Sequence, residues 1–369
     1  MEDYSSRPTL YIDPPSKQFL RDRLFNEEKD NFVGSNILAP YIYMFKQLNV
    51  AGIDVHTADY IPEEPTPDKK IYISFGLMDK YKKLAGRNDI TLSAFFAMEC
   101  PIVDPFMYRK LKQARKYFKR IYSWSDPHSM EKFTGASFPY TRFNWPQSFD
   151  DVHVSLWGNS NRQFLVMINS NKMPYLFQDE LYTERLKAID YFYCHSRIDL
   201  YGVGWDQDPL WLAPISMPYT FRRIRQHYKT LVSKYIHPVP YIESSRKAYK
   251  GRIESKADLL SKYKFCLCFE NTKLNGWITE KIFDCFFSGC IPVYLGAPDI
   301  CDHVPSNCFI DMRDFAGYEA LNSYISSLNE GDCKSYRENA RKFLGSEKFY
   351  PFSKRFFYER IFSVIKEDL

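Results

Sequence analysis

The sequence of 369 residues is poor in glycine, with only 15 in all. Against an average usage of about 7%, this makes glycine-rich phosphate loops scarce and disfavours a dehydrogenase. An excess of one charge is also lacking, since 50 basic residues face 45 acidic ones. A net charge of +5 is too balanced to indicate a nucleic-acid partner, and we predict none.

Paired cysteines are missing as well. The nine cysteines are scattered without a CxxC spacing, which favours a reducing compartment. The start MEDYSSRPTL lacks the order of a signal peptide, and no apolar run is long enough for a membrane span. We therefore expect a cytoplasmic protein. Cys266 and Cys268 alternate on one predicted strand, and we interpret them as small buried hydrophobes rather than metal ligands.

Aromatic residues, by contrast, are abundant. The chain has 30 Phe, 28 Tyr and 6 Trp, and 45% of its residues are hydrophobic. This composition excludes a disordered chain. The length and the apolar content together predict two cores of ordinary size.

The order of apolar runs predicts an α/β protein with mainly parallel sheets. Buried strands are expected at KKIYISFG, TLSAFFAMECP, FKRIYSW and FPYTRFNW, with helices over 36–48 and 105–120 between them. We place one domain at residues 1–160 and a second at 161–345, and expect the terminal helix, 346–369, to join the first domain. Residues 205–255 are rich in proline and charge, and we interpret them as an excursion outside the sheet.

The most regular part is a βαβ unit: strand KFCLCF, helix TEKIFDCFFS and strand CIPVYLG. Thr279 is the expected cap of the helix and Gly289 its end. Glu280 and Lys281 then lie in the first turn, at the sheet edge where α/β proteins bind ligands. The helix N-terminus and Lys281 suit a diphosphate, whereas the Glu280 carboxylate suits a sugar diol. An ordinary acidic first-turn residue beside a solvated lysine remains the alternative.

The segment FENTKLNGWITEKIFDCFFSGCIPVYLG resembles the donor-binding motif of the α-1,3/1,4-fucosyltransferases, which reads FEN, a short gap, GYxTEK and IPVxxG. The resemblance implies a GT-B glycosyltransferase with two Rossmann-like domains whose parallel sheets face a central cleft. It also implies transfer of fucose from GDP-fucose, with inversion, to a glycan or glycolipid acceptor, at the 3-OH of N-acetylglucosamine. Without a membrane span, the chain is more similar to the bacterial members than to the Golgi-anchored ones.

By position, the resemblance implies a set of donor contacts. They are Arg185 at the diphosphate, Gly202 at a strand end, Asn271, Trp277, Glu280 and Lys281. Trp277 stands where the family has Tyr, so an indole donor replaces a phenol there. Each also has a structural alternative: Asn271 as a turn residue, Trp277 as a core aromatic and Arg185 as a surface arginine.

The general base is expected to be Glu99. It follows the strand TLSAFFAM and precedes Cys100 and Pro101, a context similar to the Glu-x-Pro of the family. A carboxylate there can remove the acceptor proton during a single displacement, with no covalent intermediate. An acidic loop residue without a catalytic role is the alternative.

A triplet of the DxD type, Asp206 to Asp208, is expected by chance in a chain of this composition. We therefore predict that no metal is obligatory and that Mn²⁺ or Mg²⁺ can at most stimulate the reaction. Two basic, aromatic stretches, MYRKLKQARKYFKR and KFYPFSKRFFYERIFSVIK, are compatible with peripheral contact with an anionic inner-membrane surface or with solvated amphipathic helices. Two further readings stay open: another GDP-6-deoxyhexose as donor, and a non-catalytic nucleotide-sugar-binding protein.

Overall fold

The computed structural model describes residues 7–27, 36–76, 81–159, 161–175, 179–213, 217–236 and 239–369. Its framework is a pair of six-stranded sheets in which all strand pairs are parallel. Helices cover both sheets, which is the usual arrangement for parallel strands.

The first sheet has the order β2-β1-β3-β4-β5-β6. Its strands are β1 Thr9–Asp13, β2 Asp54–Thr57, β3 Lys70–Ser74, β4 Ile90–Ala97, β5 Arg120–Ser123 and β6 Thr141–Arg142. The helices along this part of the chain are α1 Ala39–Val50, α2 Tyr81–Leu84, α3 Pro105–Ala114, α4 Pro127–Thr134 and α5 Val154–Trp157.

The second sheet has the order β11-β9-β7-β12-β13-β14. Its strands are β7 Gln163–Ile168, β9 Asp199–Tyr201, β11 Tyr249–Gly251, β12 Tyr263–Phe269, β13 Ile291–Leu295 and β14 Ile310–Asp311. A separate two-stranded ribbon pairs β8 Lys172–Met173 with β10 Leu210–Trp211.

The remaining helices follow from the middle of the chain to its end. They are α6 Tyr182–Cys194, α7 Tyr219–Tyr235, α8 Ile242–Ala248, α9 Lys256–Leu260, α10 Glu280–Ser288, α11 Ile300–His303, α12 Tyr318–Ser327, α13 Glu330–Leu344 and α14 Lys354–Asp368. Within the described ranges, no helix combines the length and the apolar character needed to cross a membrane.

The βαβ unit predicted around α10 is confirmed. Apolar side chains one turn apart, Ile282, Phe283, Phe286 and Phe287, are all buried in the core beside the second sheet. Gly289 ends the helix at φ +66°, a left-handed conformation that glycine adopts without strain.

The last helix, α14, returns to the first sheet. Phe357, Ile361 and Val364 have no exposed surface and belong to the same core cluster as β1 and β3. The Asp368 carboxylate at the end of this helix lies 2.9 Å from Arg120 Nη1 on β5. We propose a division into a first domain of residues 1–160 with 346–369 and a second domain of residues 161–345.

Several predicted elements differ from the structure. The strand expected at FPYTRFNW is reduced to the two residues of β6, and the helix over 105–120 ends at Ala114 because β5 begins at Arg120. The excursion predicted over 205–255 is wrong in placing the whole segment outside the sheet, and the segment is more regular than its composition suggests. It contains the seventeen-residue α7, whose apolar positions recur at helical spacing, and β11 within it joins the second sheet.

Candidate functional site

A cavity of about 290 Å³ lies between the end of β4 in the first sheet and the start of α10 beside the second. Six of the seven predicted site residues line it: Glu99, Arg185, Gly202, Asn271, Glu280 and Lys281. The other lining residues are Val103, Ile168, Asn169, Ser170, Lys172, Tyr182, Leu212, Ile253 and Lys256. Residues far apart in sequence are therefore brought to one cleft at the carboxyl edges of both sheets, where ligands of α/β proteins bind.

Glu99 supplies a carboxylate from the first sheet. It lies two residues beyond β4, and its Oε1 accepts a hydrogen bond from the Cys100 N–H at 2.8 Å. Burial raises the pKa of Glu99, although the Cys100 hydrogen bond and the charges of Lys281 and Lys172 act in the opposite direction. A carboxylate with a raised pKa is a stronger base.

On the opposite wall of the cavity, Glu270 holds Thr279 and Lys281 in place. Its carboxylate is fully buried and accepts hydrogen bonds from the Thr279 N–H at 2.9 Å and from the Thr279 hydroxyl. It also lies 3.0 Å from Lys281 Nζ. Thr279 therefore occupies the predicted N-cap position of α10, but its hydroxyl bonds Glu270 and makes no capping bond to the helix.

Glu280 opens α10 between two cations. Its Oε1 lies 3.6 Å from Lys281 Nζ and 3.9 Å from Lys256 Nζ. Burial alone would raise the pKa of Glu280, but these two ammonium groups, together with hydrogen bonds from the Glu280 N–H and Thr279, lower it to about 2. Lys256 is also paired with Asp284 at 2.5 Å. Glu280 is thus a fixed anion, suited to accepting hydrogen bonds from hydroxyl groups.

Two cations of the cavity wall, Arg185 and Lys172, are not part of the ion pairs found among the described residues. Arg185 is 5% exposed, and its Nη2 donates to the Phe269 carbonyl at 2.7 Å and to Asn271 Oδ1 at 3.0 Å. Its Nε is buried and has no hydrogen-bond partner in the part of the chain that the structure describes. Among the described residues, neither Arg185 nor Lys172 has a carboxylate within 4.0 Å. Because an unpaired charge in a protein cavity is costly, the pair indicates an anionic ligand.

The surroundings of Gly202 leave no room for a side chain. A Cβ added there would lie 1.8 Å from the Asn169 carbonyl oxygen, and the residue has φ +137°. The same carbonyl accepts a hydrogen bond from Trp205 Nε1 at 2.7 Å. Gly202 therefore lets the chain after β9 approach the chain after β7 at the cavity wall.

Trp277 is not among the residues that line the cavity. It is 3% exposed and packs edge-on against Trp124, with ring centroids 4.7 Å apart, and against Trp145. It belongs to a core cluster of the first sheet. The geometry thus gives no support to its predicted role as a donor contact and matches the alternative of a core aromatic.

Lys172, Lys256, Glu270 and Tyr182 were not predicted as site residues. Glu270 is the acidic residue of the FEN motif and could have been found there. Lys172 lies on a two-residue strand, and Lys256 begins a five-residue helix, so periodicity gave no signal for either. Tyr182 contacts Arg185 through its ring, 4.8 Å from the guanidinium carbon.

Asp208 of the DxD-type triplet and the buried cysteines lie outside the cavity lining. Asp208 is exposed and pairs with Arg246 at 3.0 Å. The thiols of Cys266, Cys268 and Cys285 are buried together, within 4.8 Å of one another, in the core around α10. Neither group contributes to the wall that carries Glu99 and Lys281.

Comparison with known proteins identifies this architecture. Residues 210–343 match the family model of glycosyltransferase family 10 (fucosyltransferase), C-terminal part. The matched residues, just over a third of the chain, are thus similar to the C-terminal part of this fucosyltransferase family. Lys256, Asn271, Glu280 and Lys281 lie inside the matched residues, whereas Glu99, Lys172 and Arg185 lie before them.

Relatives of this glycosyltransferase domain are similar over a limited length. An α-(1,3)-fucosyltransferase of Helicobacter pylori is 38% identical over 94 residues, which is 26% of this chain and 20% of that protein. An α-(1,4)-fucosyltransferase of Arabidopsis thaliana is 38% identical over 79 residues, 21% of this chain and 20% of that protein. The chain thus spans about a fifth of the length of these relatives.

Solved structures are similar over nearly the whole fold. An α1,3-fucosyltransferase aligns with a TM-score of 0.50 at 15% identity, covering 100% of this chain and 93% of that one. An α-glucosyltransferase in complex with UDP and DNA aligns with a TM-score of 0.54 at 14% identity, covering 98% and 100%. At these identities the likeness concerns the fold, which is that of the GT-B glycosyltransferases, as the sequence predicted.

Proposed function

We propose that the chain is an inverting fucosyltransferase that transfers L-fucose from GDP-fucose to a glycan hydroxyl. The observation that carries this proposal is a cavity lined both by the Glu99 carboxylate and by Arg185 and Lys172, two cations with no carboxylate within 4.0 Å in the described part of the chain. One side of the cavity can hold an anionic leaving group, and the other can accept a proton. Transfer from a nucleoside diphosphate sugar needs both functions.

The donor is held by its charge and its hydroxyls. Its diphosphate lies against Arg185, Lys172 and the first turn of α10, where backbone N–H groups favour anions. Lys281 adds a positive charge that Glu270 holds in place. The Glu280 carboxylate accepts hydrogen bonds from a diol of the ribose or of the fucose. The similarity of residues 210–343 to fucosyltransferases supports GDP-fucose over another GDP-6-deoxyhexose.

The reaction is a single displacement. Glu99 takes the proton of the acceptor hydroxyl while its oxygen forms a bond to the anomeric carbon. The bond from that carbon to the diphosphate oxygen breaks, and GDP leaves from the opposite face. Negative charge grows on the departing phosphate, where each preorganised positive group typically contributes about 3–4 kcal/mol. These side chains can do this work without a metal ion, so we propose no obligatory metal.

The acceptor is a glycan, and we propose the 3-OH of N-acetylglucosamine as the site of transfer. The similarity to α-(1,3)-fucosyltransferases supports this regiochemistry. We propose no nucleic-acid partner, in keeping with the balanced charge of the chain.

A donor panel tests the proposal. The protein is incubated with an N-acetylglucosamine-containing oligosaccharide and with GDP-fucose, GDP-mannose or UDP-glucose, and the products are analysed by mass spectrometry and NMR. We expect transfer from GDP-fucose alone, with the opposite anomeric configuration to the donor. Preference for another sugar nucleotide would overturn the fucose assignment, and tight GDP binding with no transfer to any acceptor would indicate a binding protein.

A further inference from the structure

Helix α7, Tyr219–Tyr235, is the longest helix described, and it packs with its polar side inward. Gln226 donates a side-chain hydrogen bond to the Pro209 carbonyl at 3.1 Å and accepts one from the Trp211 N–H at 2.9 Å. Arg225 lies over the Tyr175 ring and Lys229 over the Trp211 ring. None of the helix residues is buried. This is the reverse of an ordinary surface helix, which turns its apolar side to the core.

The outward side of α7 is apolar. Side chains at helical spacing form one stripe, and each is 43–71% exposed: Phe221, Ile224, Tyr228, Leu231 and Tyr235. Successive members are three or four residues apart, so they lie on one face over the full length of the helix. Ile236, directly after the helix, is 64% exposed as well. A continuous exposed apolar stripe of this length marks an interaction surface.

The positive charge of α7 limits which kind of partner can bind its apolar stripe. The helix contains five Lys or Arg and no Asp or Glu. Arg223, His227 and Lys234 are exposed along one edge of the stripe, and Arg225 and Lys229 lie on the other side of the helix. A second copy of the chain seated on this face would bring two such basic helices together, which like-charge repulsion opposes. The complementary partner is apolar in its interior and anionic at its surface.

We propose that α7 is a membrane-docking helix that lies in the plane of an anionic lipid bilayer, with the apolar stripe in the headgroup region. A basic amphipathic helix with aromatic and aliphatic side chains on one face binds bilayers in this way. Each Lys or Arg near an anionic surface adds to the attraction. This inference concerns a surface outside the cavity and stands whether or not the chain transfers fucose.

Helix α7 is connected to the cavity wall, so its docking also determines where the cavity lies relative to the bilayer. Gln226 ties the helix to β10, and β10 pairs with β8, whose first residue, Lys172, lines the cavity. Leu212, directly after β10, also lines it. Seven residue steps from Leu212 to Tyr219 span at most about 25 Å. A docked α7 therefore holds the cavity close to the bilayer, where a lipid-linked acceptor would be presented.

Vesicle binding by the full chain tests this inference. Sedimentation is measured with vesicles of phosphatidylcholine alone and of equal parts phosphatidylcholine and phosphatidylglycerol, at low and high salt. We expect binding to the anionic vesicles, weakened by salt. The double variant Ile224→Asp/Tyr228→Asp should bind at least about tenfold more weakly, since it removes apolar anchors and adds negative charge.

Three further double variants make the test specific. Val50→Asp/Val154→Asp replaces two apolar residues elsewhere that are more exposed than Ile224 and Tyr228, and it should bind like the wild type. Arg223→Gln/Lys234→Gln keeps the stripe and should lose only the preference for anionic vesicles, so the charge argument remains testable if the aspartate variant does not fold. Lys112→Gln/Lys116→Gln, in the basic stretch around α3, should have no effect.

Three results would overturn the inference. One is the absence of binding to either vesicle, and another is equal binding by the wild type and the α7 variants. The third is a wild-type dimer in analytical ultracentrifugation that Ile224→Asp/Tyr228→Asp converts to monomer without any vesicle binding, since this would assign the stripe to a second copy of the chain.

Discussion

Glu270 and Lys281 form an ion pair with 3.0 Å between Oε2 and Nζ, and the Glu270 carboxylate has no exposed surface. The same carboxylate accepts hydrogen bonds from Thr279. The pair therefore fixes both the start of α10 and the ammonium group at the cavity wall. Because the two residues lie on either side of the turn after β12, this contact closes that turn.

Glu270→Ala should destabilise the protein. Removal of the carboxylate leaves the Thr279 N–H and the Lys281 ammonium without their partner, and breaking a buried ion pair costs about 3–5 kcal/mol. Urea unfolding measures the effect. Glu319→Ala, an exposed first-turn residue of α12, serves as the control and should change the free energy of unfolding by less than about 0.5 kcal/mol. A similar small loss for Glu270→Ala would refute the structural role.

Lys172→Ala should weaken GDP binding about tenfold or more, as expected for loss of a charged contact to phosphate. It is a cleaner probe than Lys281→Ala, because Lys172 has no carboxylate within 4.0 Å among the described residues, whereas Lys281 is paired with the buried Glu270. Calorimetric titration with GDP measures the change. Lys69→Ala, on the surface of the first sheet, should bind GDP like the wild type. Unchanged affinity in Lys172→Ala would remove this lysine from the donor site.

Glu99→Gln should separate binding from turnover. The amide cannot take the acceptor proton, so transfer should fall about 10²–10⁴-fold, while the affinity for GDP stays nearly the same. Initial rates with GDP-fucose and calorimetry with GDP give the two values. Glu131→Gln, an exposed residue of α4, is the control. If Glu99→Gln keeps more than half of the wild-type rate, Glu99 is not the base.

The pH dependence of transfer follows from the pKa of Glu99, which burial raises. Transfer requires the carboxylate, so the rate should fall as the pH falls through this raised pKa, above the ordinary Glu value of about 4.3. An acid limb at or below that value would contradict burial of Glu99. The limb should be absent from the residual rate of Glu99→Gln.

The raised pKa of Glu99 affects stability in the opposite direction: ionisation of Glu99 favours transfer but disfavours the folded state. A raised pKa in the folded state gives a contribution that is complete below the unfolded pKa and is lost as the pH rises through the folded pKa. At neutral pH, Glu99→Gln should therefore be at least as resistant to unfolding as the wild type. A lower midpoint at neutral pH but not at acid pH would contradict this assignment.

Gly202→Ala should be strongly destabilising, because its Cβ would lie 1.8 Å from the Asn169 carbonyl oxygen and overpacking of this kind costs about 1–3 kcal/mol in addition to backbone strain. Gly251→Ala is the matched control, since Gly251 has a similar φ of +127° and nothing within 4 Å of the added Cβ. Thermal unfolding of the two variants isolates the clash. Equal midpoints would mean that the close approach is unimportant.

Local patterns predicted the parts of the fold that local rules govern. The buried face of α10 and its end at Gly289 followed from the spacing of apolar residues and from glycine's freedom at positive φ. Helix α7 was missed although its apolar residues recur at helical spacing, because prolines and charges on both sides made the whole segment look irregular. Whether that stripe faced the core or the solvent could not be deduced, since orientation depends on the neighbouring ribbon of β8 and β10.

The site was predicted where a motif marked it and missed where only tertiary structure does. Asn271, Glu280 and Lys281 stand within one continuous motif, and the cavity contains all three. Lys172 and Lys256 reach the same cavity from short elements without a motif, so no local pattern marks them as site residues. Trp277 occupies a position of the motif, yet packing against Trp124 determines its orientation.

A crystal structure of the protein with GDP tests the central claim most directly. We expect a diphosphate in the cavity between the two sheets, within hydrogen-bond distance of Arg185. Lys172 and the first turn of α10 should lie beside it, and the Glu99 carboxylate should face the vacant sugar position. Nucleotide bound at another surface, or a diphosphate that contacts neither Arg185 nor α10, would contradict it.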